Sequence, residues 1–147
     1  MGRRLIRRVT IGGSTMGGSL GVAACETGPP VSFAVSTTVD GVDVAPGDGA
    51  CEMTVGRGDC SLRAAVMEAN ATPATSGGTI DLLAGQSYRR TIAGVDDVSA
   101  VGDLDVTRNL TIDGHGASIE GGDVSQTLMI PLFEHHTGEL TIRNADL

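Results

Sequence analysis

The 147-residue chain has no tryptophan and no lysine, one tyrosine and two phenylalanines. So few aromatics exclude a core built around large rings. The core has to come from Val, Ile, Leu and Ala in thin, repeated layers, which suits stacked short strands better than a compact α/β domain. That all ten cations are arginine reads as coding bias and not as chemistry. No Ser-His-Asp ordering, zinc-ligand spacing, P-loop or dinucleotide fingerprint is present, so no complete catalytic constellation and no cofactor-binding motif is visible. "GGSTMGGS" at 12–19 has the look of a phosphate loop but lacks its lysine. The length suits one domain with a real core.

What is present starts with charge at the N-terminus. Four of the ten arginines fall in "MGRRLIRR", and a weakly apolar segment then runs to Cys25. A basic start, a short apolar stretch and small residues before a break describe a secretory signal over residues 1–24, not a membrane span. "VAAC" at 22–25 resembles a bacterial lipobox, which implies cleavage before Cys25 and lipid on its thiol. Arg3 and Arg4 also give a faint twin-arginine look. The alternative is ordinary secretion with Cys25 incidental. Removal of 1–24 takes away four arginines and no acid, leaving six arginines against 18 acids, a net charge of −12. So acidic a surface argues against nucleic acid as a partner and is compatible with divalent cations.

Cys51 and Cys60 remain, nine residues apart and destined for an oxidising compartment, so a disulfide is the economical reading. Closing so short a loop stabilises by roughly 2–3 kcal/mol on chain-entropy grounds. A metal site would need further cysteines.

Along the chain, 25–32 reads as a proline-containing linker and the domain as 33–147, opening on an alternating strand with Phe33 and Val35 on one face. Leu62, Ala65, Val66 and Ala69 lie at i, i+3, i+4 and i+7, the stripe of a helix of about ten residues, with Ser61 as N-cap and Asn70 near its stop. Three strand-like units follow, "GGTIDLLAG", "NLTIDGHG" and "ELTIRNADL", with Ile80, Ile112 and Ile142 spaced by 32 and 30 residues. "SYRRTIAG", "GDLDVT" and "GASIEGG" each supply a further strand. A strand-and-turn repeat of this period points to a solenoid, and several strands per repeat point to a parallel β-helix. A two-sheet sandwich stays open.

"CSLRAAVMEANA", with a cysteine before it and the strand units after it, resembles the CSLREA motif at the N-terminal end of secreted bacterial right-handed parallel β-helix proteins of the pectin-lyase-like type. The resemblance covers roughly 33–147. It implies an all-β fold: a right-handed parallel β-helix with a short N-terminal capping helix, truncated here because the chain stops at "LTIRNADL" in mid-repeat. The motif's Glu is replaced by Ala64, the third helical position after a Ser61 cap, so the reciprocal capping bond is missing. Ala64→Glu is then expected to stabilise by about 0.5–1 kcal/mol.

Such folds host lyases, hydrolases and adhesins alike, so fold does not name function. Asp103 and Asp105, two apart in a strand with Leu104 and Val106 facing inward, are candidate Ca²⁺ or sugar ligands, although such acids are more often a solvated strand face. Asp113 and His115 in "DGHG" read as a turn, and Asp96 and Asp97 as a loop. His135 and His136, adjacent in a strand, face opposite ways and do not easily share a metal. The expectation is an exported, lipid-anchored cell-surface protein with an adhesion or glycan-binding role, held to the membrane by its anchor and facing extracellular polysaccharide or a host or matrix surface. The alternatives are a polysaccharide lyase or hydrolase with its active site in rungs beyond residue 147, and a structural stalk.

Overall fold

A computed structural model of the chain describes residues 29–72, 77–122 and 132–147. The elements run β1 (Val31–Ala34), α1 (Leu62–Ala71), β2 (Gly78–Asp81), β3 (Ser87–Arg89), β4 (Leu104–Val106), β5 (Leu110–Glu120), β6 (Phe133–His135) and β7 (Leu140–Asp146). Every strand pairing among the described residues is parallel.

The Ile-centred repeat becomes a ladder. Phe33 pairs with Ile80, Ile80 with Ile112 and Ile112 with Ile142, one row across β1, β2, β5 and β7. Phe33, Ile80 and Ile112 are buried, so alternation sends their neighbours to the other face of the sheet. β1 starts at Val31, inside the stretch read as linker, because Val31 pairs with Gly78. The "DGHG" stretch is a bulge within β5 and not a turn between units. Asp113 faces Arg143 and Ala117 faces Ala145, so residues 114–116 stand against Asn144 alone. Before the bulge β5 pairs with β2, and after it with β3. A Cβ on Gly114 would lie 2.5 Å from that of Ala145, so only glycine lets the strands approach there.

The expected all-β solenoid is not what these residues form. The architecture is mixed α/β, with a five-stranded parallel sheet (β1-β2-β5-β3, with β7 on β5), a separate two-stranded sheet (β4-β6) and one helix; no closed solenoid is present among the described residues. The wall that would join the sheets is made of loops. Residues 90–103, between β3 and β4, contain no strand and are held mainly by side chains and by the Gly102 N–H to Ile92 carbonyl bond.

Nor is α1 only a cap. It packs on β1, β2 and β4, and Leu62, Ala65, Val66 and Ala69 share one core with Ile80, Leu104, Val106 and Ile112. Arg63, Ala64 and Glu68 are buried as well, so solvent reaches little of the helix. Ser61 Oγ accepts the Ala64 N–H at 2.9 Å and donates to the Gly41 carbonyl. Ala64 is wholly buried, which reverses the expectation for a Glu there: the carboxylate would be forced into the core. No helix among the described residues is long and apolar enough to cross a membrane.

Candidate functional site

Among the described residues, two regions bring chemistry-bearing side chains together. The first is the outer face of the five-stranded sheet. The residues beside the apolar ladder form a row of hydroxyls, Ser32, Thr79, Thr111 and Thr141, in register across β1, β2, β5 and β7. Strand spacing sets neighbours in such a row about 4.8 Å apart. An open recess borders Thr79, Thr111 and Thr141 of this row, lined also by Pro30, Asn109 and Glu139.

One step along, Asp81, Asp113 and Arg143 form a charged row. Arg143 Nε lies 3.0 Å from Asp113 Oδ2, and Asn144 Nδ2 donates to Asp113 Oδ1 at 3.0 Å. The Asn144 bond, more than the nearby charges, holds the Asp113 carboxyl below its ordinary range. His115, left-handed at φ 48°, reaches back over the bulge to Asp81 Oδ1 at 3.3 Å.

The second region lies at the β4–β6 sheet. Asp103 and Asp105, the candidate ligands, do not stand on a solvated strand face: they are 2% and 0% exposed. The 96–102 loop covers them. Ser99 N–H donates to Asp105 Oδ2 at 2.7 Å, and the Ser99 hydroxyl pairs with the Asp105 backbone on both sides. His136 Nε2 sits 3.0 Å from Asp105 Oδ1. That hydrogen bond raises the His136 pKa, despite some opposing desolvation. His135 Nε2 instead bonds the Gly138 carbonyl at 2.9 Å, so the two histidines go separate ways. Glu134, in register with Asp105 on β6, completes the group.

Beside this region a fully buried guanidinium holds the loops together. Arg63 Nε and Nη2 donate to Asp40 at 2.6 and 3.3 Å, while Nη1 and Nη2 reach the carbonyls of Ser99 and Gly102 at 2.9 and 2.8 Å. Asp40 also accepts the Thr91 and Ile92 N–H groups. Burial alone would lift its carboxyl, but the bonds from Arg63, Ile92 and Thr91 outweigh that and hold it below the ordinary value. At the other end of α1, Glu68 takes the N–H groups of Gly47 and Gly49, both at positive φ. Asn70 clamps its side-chain amide onto β4, donating to the Asp105 carbonyl at 2.7 Å and accepting the Thr107 N–H at 3.1 Å.

Cys51 and Cys60 are joined, with their Cα atoms 5.0 Å apart, at the entrance to α1. Cys25 lies outside the described residues. Asp40, Arg63, Glu68 and Glu134 went unremarked in the sequence. Only Glu134 had a signal there: laying "LFEHH" over "DLDVT", an offset of 29 residues against the 30 between Ile112 and Ile142, puts it beside Asp105. No family model, curated protein or solved structure matches the chain.

Proposed function

We propose that this is an exported, lipid-anchored cell-surface protein with a non-catalytic role, binding an extracellular glycan on the outer face of its five-stranded sheet. The observation that carries the binding role is the in-register row Ser32–Thr79–Thr111–Thr141 beside the charged row Asp81–Asp113–Arg143. A polysaccharide repeats its hydroxyls along its length, and a sheet that repeats donors and acceptors at constant spacing engages several sugar units at once. Each contact is weak alone, because the groups exchange bonds to water for bonds to sugar. Their sum along a rigid array is what gives affinity. Export is supported by the disulfide, which persists outside the reducing cytosol, and by the lipobox-like "VAAC" ending at Cys25.

Affinity electrophoresis through gels containing neutral or acidic polysaccharides tests the binding role. Retardation by at least one polysaccharide is expected, and Thr111→Val combined with Thr141→Val should reduce it several-fold without loss of the fold by circular dichroism. Unretarded migration on every polysaccharide, or cleavage of one, defeats the reading. The anchor is tested separately by Cys25→Ser, which should move the protein from the membrane to the soluble fraction; unchanged partition defeats that half.

A further inference from the structure

The carboxylates of the β4–β6 sheet are a different matter from the sugar-facing rows. Asp103 and Asp105 flank Leu104, and Glu134 stands across from Asp105. One carboxylate oxygen from each of the three lies within 4.8 Å of the others. Asp105 is already oriented, by Ser99 on one oxygen and His136 on the other. Asp103 is not. Its Oδ2 is buried and has no hydrogen-bond partner among the described residues. A buried carboxylate oxygen left without a donor loses its hydration and gains nothing for it, which is why such atoms are rare unless paired or bound to a metal.

Arg63, a buried cation that reaches the Asp103 backbone, does not answer the need. Arg63 spends its donors on Asp40 and on backbone carbonyls, including that of Asp103, and not on the Asp103 carboxylate. Three carboxylates so close also repel one another. The missing partner is a positive charge that accepts several oxygens.

We propose that Asp103, Asp105 and Glu134 form a Ca²⁺ site that ties β4 to β6. Oxygens bound 2.3–2.6 Å from one Ca²⁺ stand at most about 5 Å apart, so the three are close enough together to share a single ion. An all-carboxylate donor set selects a hard cation over Zn²⁺ or Cu²⁺. Asp103 and Asp105 are buried, whereas the Glu134 side chain is 49% exposed, so the ion enters and keeps its remaining water on that side. His136 stays on Asp105 and orients it. The cation thus links β4 and the residue before it to β6.

Calorimetric titration of the purified full chain with CaCl2, and melting curves in CaCl2 against EDTA, test the site. One Ca²⁺ per chain and a higher melting temperature in CaCl2 are expected. Glu134→Gln, a change at an exposed position, should weaken binding at least tenfold and remove most of the melting shift. Asp103→Asn should abolish binding yet melt no lower than the unaltered chain in EDTA, since the amide removes an unpaired buried charge. Glu120→Gln, outside the group, should leave binding intact. Absence of both heat and melting shift in the unaltered chain overturns the proposal. So does binding that Glu134→Gln and Asp103→Asn leave unchanged, or Zn²⁺ binding that depends on His136 and not on Asp103. The sugar-facing rows share no residue with this site, so either reading can fail without the other.

Discussion

Replacing Arg63 by Met tests the description of the core most severely. The substitution keeps an unbranched apolar stem and removes the guanidinium. Asp40, whose side chain is 7% exposed, then keeps only the Thr91 and Ile92 N–H groups against its charge. The carbonyls of Ser99 and Gly102 lose their donors as well. Removing one partner of a buried ion pair costs about 3–5 kcal/mol, because the remaining charge stays desolvated. Each orphaned carbonyl adds about 1 kcal/mol or more, though not additively. A total near 5 kcal/mol is a large part of the roughly 5–15 kcal/mol available to a domain of this size. The melting temperature should fall by about 15–20 °C at roughly 3–4 °C per kcal/mol. Arg63→Lys keeps the charge but not the planar fork, and should fall in between. Differential scanning calorimetry of the oxidised protein, with Asp40→Asn and the double variant, gives the coupling directly. A loss under about 3 °C for Arg63→Met, or additive effects of the two single changes, would refute the reading of a buried, interdependent pair.

Two further outcomes follow from the same packing. Ala64→Glu should lower the melting temperature, by an amount equivalent to about 2 kcal/mol or more, since overpacking and an unpaired buried carboxylate both oppose it; a rise would mean that the carboxylate reaches the capping position after all. Asp40 binds its proton less readily in the folded chain than in the unfolded one, so its contribution is complete above about pH 4 and is lost as pH falls through its lowered folded value. Urea midpoints measured downward from pH 6 should therefore drop more steeply for the unaltered chain than for Asp40→Asn, and parallel curves would count against Asp40 as a source of acid sensitivity.

What could be read from the linear chain was whatever repeats at short range. The stripe Leu62, Ala65, Val66, Ala69 gave a ten-residue helix, found at Leu62–Ala71, because helical period is local. The spacing of Ile80, Ile112 and Ile142 gave three strands, and these do lie side by side. Extending that repeat to a closed solenoid failed. Closure depends on whether connecting segments also pair, and 90–103 satisfies its polar groups through side chains instead. The candidate site was half legible for a related reason. Asp103 and Asp105 stood out by their alternation, but alternation predicts one exposed and one buried face. It has no means of showing that the loop carrying Ser99 folds over the polar side.

The sequence by itself determined the helix, its Ser61 entrance, the cysteines available to pin it and the order of strand units, because each depends on residues a few positions apart. Tertiary structure alone decided that the helix is buried on nearly every side, that Arg63 meets Asp40 across 23 residues, and that Glu134 closes on Asp103 and Asp105. Those are meetings of charges in a space from which water has been removed. Their energies depend on burial and on partners brought from distant segments, quantities that no local pattern of residues records.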